Sequence, residues 1–172
     1  MSREPFTPAD EQAVTEQLQR TPRGVAAVAY RCPEGHPGVL MTRPRLPDGT
    51  PFPTTYYLTC ARAISACSTL ESGGLMAEMT ERLGQDPELA EAYAAAHRAY
   101  LADRQELGEV SEIEGISAGG MPDRVKCLHV LVAHSLAVGP GVNPLGDEAV
   151  LALASVGDQP CLTQAAARFS KS

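Results

Sequence analysis

The stretch that decides the fold reads Gly24-Val25-Ala26-Ala27-Val28-Ala29-Tyr30, then Pro33-Glu34-Gly35-His36-Pro37-Gly38, then Val39-Leu40-Met41-Thr42. The two outer runs are short and apolar, and the segment between them has the proline and glycine content of a turn. This pattern predicts a β-hairpin. A further extended run, Thr54-Thr55-Tyr56-Tyr57-Leu58-Thr59, predicts a third strand, because β-branched and aromatic residues favour the extended backbone.

Helical patterns precede and follow these strands. The run Thr7-Pro8-Ala9-Asp10 has the composition of a helix start, with Thr7 as the cap, and predicts a helix to about Arg20. After the strands, helices are predicted over 61–70, 75–83, 87–107, 123–138 and 147–154. Strands followed by helices predict an α+β fold, in which a small, mostly antiparallel three-stranded sheet packs against four to six helices.

Length and composition predict one globular domain. The chain has 172 residues, of which 44% are hydrophobic, and this is enough to bury a core within the size of a single domain. We expect that domain to span residues 1–154. Residues 155–172 have weak periodicity, so the sequence predicts a weakly ordered C-terminal tail there.

Charge and cysteine content exclude several classes of partner and compartment. The formal net charge of −7 disfavours general nucleic-acid or anionic-membrane binding, because those partners are held by basic patches. The apolar segment 127–146 is interrupted by Gly139-Pro140-Gly141, short of the ~20 residues that a membrane helix needs. Five cysteines argue against a disulfide framework, and the chain begins without a secretory-signal pattern. We therefore expect a cytoplasmic protein with no membrane span.

Cations next to a rigid loop and a predicted helix start indicate an anion-binding site. The loop 43–54 contains four prolines and a glycine, and the segment 119–129 begins with two glycines before its predicted helix. Cations and backbone N–H groups at a helix start favour phosphate or carboxylate. The sequence therefore predicts a small anionic ligand between loop and segment, with ion pairing to Asp48 or Asp123 as the structural alternative. The candidate ligand-binding residues are Arg43, Arg45, Arg124, Lys126 and Asn143.

Metal binding is a second hypothesis, because thiolates and imidazoles are ligands of zinc and iron. Only Cys32 and His36 have a spacing close to that of a structural zinc site. On the predicted helix 123–138, Cys127 and His129 would face opposite ways, whereas Cys127 and His134 would share a face about 10 Å apart. Cysteines packed in the core are the simpler alternative. The candidate ligands of a zinc or iron ion are Cys32, Cys60, Cys127 and His134, with His36 and His129 as substitutes for His134.

Catalysis is a third hypothesis. A transferase or hydrolase acting on a phosphorylated compound would hold the anion with the four cations and move a proton with Asp123 or His129. Cys127 is the candidate nucleophile, although burial in the second turn of a helix would make its thiol less reactive. The candidate catalytic residues are Asp123, Cys127 and His129.

Three motifs carry a resemblance to a known family. They read Leu46-Pro47-Asp48-Gly49-Thr50-Pro51-Phe52-Pro53-Thr54, Tyr57-Leu58-Thr59-Cys60 and Pro122-Asp123-Arg124-Val125-Lys126-Cys127-Leu128-His129. In these motifs the chain resembles domain of unknown function 501, a bacterial and mainly actinobacterial family that brings no established activity. The resemblance extends from about residue 23 to about residue 147.

The family pattern departs from this chain at two thiols, and it adds a gene context. Members often have Arg-Cys-Pro-Cys where this chain has Arg31-Cys32-Pro33-Glu34, and Cys-Pro where it has Cys60-Ala61. The missing cysteine weakens the case for a metal cluster. The genes commonly lie beside those for enolase, a septum-formation protein and an exopolyphosphatase-like enzyme. The resemblance therefore implies an interaction protein of cell division or the envelope as another alternative, and its sign would be an exposed apolar patch.

Overall fold

The computed structural model describes residues 3–170. It confirms the α+β fold, with seven α-helices within the described residues, one more than the upper limit predicted. The strands are β1 (Val25–Arg31), β2 (Pro37–Thr42) and β3 (Tyr56–Leu58). The helices are α1 (Pro8–Leu18), α2 (Ala61–Ser72), α3 (Leu75–Gln85), α4 (Pro87–Gln105), α5 (Leu128–Val138), α6 (Pro144–Val156) and α7 (Pro160–Ala167), with a 3-10 turn at Ser111–Ile113. None of the helices in residues 3–170 is long and apolar enough to cross a membrane.

The sheet is antiparallel with the order β1-β2-β3, so the predicted hairpin and third strand are both confirmed. Side chains alternate between its two faces. Leu40 of the central strand packs with Val28 and with Val14 of α1 on one face, whereas Val39 and Met41 join the main core on the other. Every residue of β2 is therefore buried, which explains why that strand has no polar alternation in its sequence.

The first helix begins as predicted. Thr7 caps α1 by accepting from the backbone N–H of Asp10, whose carboxylate accepts from the Thr7 N–H in return. The same carboxylate forms a bidentate ion pair with Arg31 at 2.9 and 3.0 Å, which holds the pKa of Asp10 well below its ordinary value. This pair fastens α1 to the end of β1.

The predicted helix 123–138 was wrong at its start, because α5 begins only at Leu128. The preceding residues form a compact turn in which the Lys126 N–H donates to Gly119 O at 2.7 Å and the Arg124 N–H donates to Gly120 O at 3.1 Å. Gly120 has a φ of +93°, and a Cβ there would lie 2.8 Å from Arg124 O. The glycine pair thus permits a turn that outweighs the local signal for a helix start at Pro122.

The C-terminal segment forms a helix where the sequence predicted a weakly ordered tail. Helix α7 packs against α6, and Phe169 just beyond it is only 2% exposed. Its buried residues recur at helical spacing after a proline at the first position, namely Cys161, Leu162, Ala165 and Ala166. The run is short and rich in alanine, so its periodicity was too weak to detect in the sequence.

Candidate functional site

A groove of about 470 Å³ runs between the C-terminal end of α1, strand β3 and the N-terminal end of α5. We call it the α5 groove. A neighbouring hollow of about 200 Å³ shares its wall at Leu18, Arg20 and Tyr57 and extends it to Arg23 and Phe52. The residues that line the α5 groove are Gln17, Leu18, Arg20, Thr54, Tyr56, Tyr57, Leu58, Ile64, Cys127, His129 and Val130.

Arg20 and Gln17 supply the polar groups at the α1 end of the groove. The Arg20 guanidinium donates a hydrogen bond to the Tyr57 hydroxyl and lies 5.8 Å from the centre of that ring. No carboxylate of residues 3–170 forms an ion pair with Arg20, whereas nearby Arg23 contacts Asp48 at 3.3 Å. The Gln17 side chain donates to a backbone carbonyl, but its buried Oε1 has no partner among the described residues. This end of the groove therefore offers a cation, whereas the Gln17 acceptor is buried.

Cys127, His129 and Glu71 converge at the other end of the groove. Because Cys127 is the N-cap of α5 and has an extended backbone, its thiol turns toward the first helical turn, where His129 lies. Cys127 Sγ is 3.8 Å from His129 Nδ1, and Glu71 Oε1 is 3.2 Å from the same nitrogen. The second oxygen of Glu71 accepts from the Leu128 N–H at 2.9 Å. The prediction that Cys127 and His129 face opposite ways was therefore wrong, because it assumed a helix through both residues.

This cluster brings together three atoms that can coordinate a metal ion: a thiol sulfur, an imidazole nitrogen and a carboxylate oxygen. The hydrogen bond with Cys127, followed by the charge of Glu71, raises the pKa of His129 above its ordinary value. The Cys127 thiol and the Glu71 carboxylate both contact Nδ1 of His129. A nucleophilic triad needs these two groups on opposite nitrogens of the imidazole. Asp123, the other candidate for proton transfer, is exposed and does not line the groove. The arrangement suits cation coordination better than nucleophilic catalysis.

The four cations predicted from the sequence lie outside the groove and its neighbouring hollow. Arg45 forms an ion pair with Glu112 at 2.9 Å instead of facing a ligand. The backbone N–H groups of Arg124 and Lys126 are already used within the 119–126 turn. The N–H that opens α5 is also occupied, since the carboxylate of Glu71 accepts from it. Loop 43–54 and segment 119–129 do line the groove, but through Thr54, Cys127 and His129, and Phe52 of the loop lines the neighbouring hollow.

Asn143 and His134 are core residues. Asn143 accepts from the Gly146 N–H at 2.9 Å as the cap of α6, and its amide nitrogen lies 3.2 Å from His134 Nδ1. The His134 ring stacks on Tyr56 and meets Tyr100 edge-on, with ring centres 5.7 and 5.0 Å away. Burial lowers the pKa of His134 to about 4. Both residues are fully buried, so neither faces a ligand.

The structure does not gather the four metal ligands predicted from the sequence. Cys32 and Cys60 line a separate hollow of about 180 Å³ together with Cys161. Cys127 lines the α5 groove, and His134 is in the core. All five cysteines are free thiols.

Two residues of the site had no usable signal in the sequence. Glu71 lies in the last turn of α2, 56 positions before Cys127, and reaches the start of α5 only through the packing of these helices. Arg20 follows the end of α1 and resembles an ordinary surface cation. Tertiary contacts, which no spacing encodes, bring both to the groove.

Comparison with known proteins identifies the family of the chain. The chain matches the family model described as "Protein of unknown function (DUF501)" over residues 28–151. The matched range runs from β1 into α6 and includes the α5 end of the groove, but not Gln17, Leu18 and Arg20 at its α1 end. Neither the search of curated proteins nor that of solved structures found a match. The chain therefore belongs to the DUF501 family, as the resemblance in its proline-rich loop and its 122–129 segment indicates.

Proposed function

We propose that the α5 groove binds a small molecule that carries a phosphate or carboxylate, with Arg20 as the residue that holds the anion. The observation that carries this proposal is a cation that lines a groove and has no carboxylate partner among residues 3–170. In this proposal the ligand lies in a groove whose lining includes Thr54 of loop 43–54 and Cys127 and His129 of segment 119–129. The cation comes from the end of α1 instead of from Arg43, Arg45, Arg124 or Lys126.

The charge pairing of the chain supports this role for Arg20. In an acidic protein most arginines form ion pairs with carboxylates, and here seven of the twelve arginines do so. Arg104 also has no carboxylate partner, but it is buried and donates to three backbone carbonyls. The others outside the groove are exposed, where water solvates them and an anion gains little, namely Arg43, Arg124 and Arg168. Within a groove a guanidinium binds phosphate or carboxylate by two parallel hydrogen bonds. The paired arginines are Arg3, Arg23, Arg31, Arg45, Arg62, Arg82 and Arg98.

The walls of the groove indicate what the rest of the ligand is. Tyr57 and Phe52 form an aromatic pair with ring centres 6.3 Å apart and a tilt of 32°. A flat apolar group can pack against this pair while the anion contacts Arg20. We therefore propose a small aromatic or otherwise planar ligand with one anionic group.

Replacing Arg20 by alanine should weaken the binding of phenyl phosphate, a probe that combines both features, by at least about tenfold. The reason is that a hydrogen bond to a charged group contributes about 1.5–3 kcal/mol. The dissociation constant is measured from chemical-shift changes of the backbone amides, which should be largest at residues 17–20, 54–57 and 127–130. Inorganic phosphate and phenol separate the contributions of the anion and the ring.

Arg124→Ala is the matched control, because Arg124 is an exposed cation of segment 119–129 outside the groove. It should leave the dissociation constant of phenyl phosphate unchanged. Loss of binding in Arg124→Ala together with normal binding in Arg20→Ala would refute the groove and restore the site first predicted from the sequence. Wild-type protein without any shift in residues 17–20 would refute anion binding here altogether.

Two further parts of the proposal concern partners and compartment. The five free thiols suit a reducing compartment, so we propose that the protein acts in the cytoplasm. Among residues 3–170 the exposed large hydrophobic residues are Ile116 and Leu151, and single residues of this kind do not form an interaction patch. We therefore favour a small ligand over a protein partner of the cell-division or envelope machinery.

A further inference from the structure

We infer that Glu71, Cys127 and His129 form a zinc site at the α5 end of the groove, with one coordination position open to the groove. This inference goes beyond the binding of an anion and does not depend on it. It also differs from the ligand set that the sequence predicted, with which it shares Cys127 and the alternative histidine His129, but neither Cys32 nor Cys60. Thiolate, imidazole and carboxylate are the three kinds of side chain that zinc takes as ligands.

The distances between the donor atoms match the edges of a zinc tetrahedron. Zinc bonds of about 2.3 Å to sulfur and about 2.0–2.1 Å to nitrogen or oxygen place sulfur and nitrogen about 3.6 Å apart, and nitrogen and oxygen about 3.3 Å apart. The corresponding distances here are 3.8 Å from Cys127 Sγ to His129 Nδ1 and 3.2 Å from His129 Nδ1 to Glu71 Oε1. All three donor atoms lie within 4.8 Å of one another. An ion between them needs only small side-chain adjustments.

The ligands are held by regular structure, and one oxygen is oriented for coordination. Glu71 Oε2 accepts from the Leu128 N–H, which directs Oε1 toward His129. Such an outer hydrogen bond on a metal-bound carboxylate fixes its geometry. Cys127 and His129 come from the first turn of α5, and Glu71 comes from the last turn of α2, which packs against it. The site is therefore preformed by the fold.

Three protein ligands leave a fourth position for water or a substrate atom, as in catalytic zinc centres. Cys127 and His129 line the α5 groove, so this position faces the same space as Arg20. The side chains of His129 and Glu71 are 26% and 22% exposed, which allows entry of the ion from solvent. A ligand bound through its anion at Arg20 can reach the metal along the groove.

A second cluster of the same residue types provides a control. Cys32, Glu34 and His36 also bring three donor atoms within 4.8 Å, but Glu34 and His36 are exposed on the hairpin turn, and Glu34 already pairs with Arg62 at 3.0 Å. Holding three side chains of an exposed turn around an ion costs conformational entropy. We therefore expect weaker metal binding there.

The test uses the full chain purified without a metal-affinity column, stripped with a chelator and titrated with Zn²⁺ by calorimetry in phosphate-free buffer. We expect one equivalent of zinc per chain. Substitution with Co²⁺ should give a cobalt–thiolate charge-transfer band. Cys127→Ser should abolish that band, and Cys127→Ser and His129→Gln should each weaken zinc binding by at least about 100-fold, because loss even of a partner of a metal ligand costs about 10–100-fold. Cys32→Ser should retain both the band and the affinity.

Two results would overturn the inference: wild-type protein that takes up no zinc, or a cobalt band that survives in Cys127→Ser and disappears in Cys32→Ser. If Cys127→Ser does not fold, zinc protection of the wild-type thiols from iodoacetamide gives the same decision, since only Cys127 should be protected. Arg20→Ala should bind zinc normally. Failure of zinc binding is therefore distinguishable from failure of anion binding.

Discussion

Replacing Gly146 by alanine should lower the free energy of unfolding by about 3 kcal/mol, near the upper end of what one added methyl group costs in a packed core. A Cβ at this position would lie 2.3 Å from Ser135 Oγ and 2.5 Å from Leu131 O. The second of these atoms belongs to the backbone of α5 and cannot rotate away. Helices α5 and α6 would have to separate, and α5 carries Cys127 and His129 at its start.

The measurement is urea unfolding followed by circular dichroism, with Gly84→Ala as the matched control. Gly84 lies in α3, where a Cβ would meet nothing within 4 Å. Alanine there should be neutral or stabilise by up to about 1 kcal/mol, because glycine is a poor helix former. Equal effects of the two substitutions would show that the close approach of α5 and α6 at Gly146 is not under steric constraint.

The parts of the fold that the sequence predicted are those with strong local signals. The hairpin was readable because two apolar runs flank a turn, and α1 because Thr7 and Pro8 mark a helix start. The close approach at Gly146 was not readable, since a glycine three residues after the Asn143 cap resembles any first-turn residue. Its role depends on which helix lies opposite, and only the tertiary structure shows that.

The sequence predicts a candidate site at segment 119–129 but not how the side chains of that segment are arranged. Segment 119–129 does border the groove, but moving the start of α5 to Leu128 reverses the relation between Cys127 and His129. The predicted helix start was wrong because the carbonyls of Gly119 and Gly120 accept from the N–H groups of Lys126 and Arg124. A helix beginning at residue 123 would have used these N–H groups differently. The position of the helix start, which differs by five residues, thus decides whether Cys127 and His129 face opposite ways or converge on one site.

His134 shows the same limit for a buried polar residue. Its place on an apolar helix suggested either a metal ligand or a hydrogen-bonded core residue, and the structure supports the second. The Gly146 N–H donates to Asn143 Oδ1, which directs the amide NH2 toward His134 Nδ1. Nδ1 is therefore the acceptor, and the single ring proton is on Nε2. The imidazole is neutral.

This neutral imidazole should make the protein lose about 2 kcal/mol of stability between about pH 7 and about pH 5. The unfolded chain protonates His134 near the ordinary pKa of 6.5, but burial lowers its pKa in the folded chain to about 4. Below pH 6.5 the unfolded state therefore binds one more proton, and stability falls by about 1.4 kcal/mol per pH unit. A lowered pKa at His97 adds to this loss, and the raised pKa of His129 opposes it.

Urea unfolding at about pH 7 and about pH 5 measures the loss, and His134→Leu identifies its source. Leucine cannot be protonated, so the difference between the two pH values should shrink to what the other histidines contribute. The variant also leaves the amide of Asn143 without its acceptor, which lowers stability at both pH values and cancels from their difference. His36→Gln, a substitution on the exposed hairpin turn, should keep the wild-type difference. An unchanged difference in His134→Leu would mean that the loss of stability comes from other groups, because leucine at this position binds no proton.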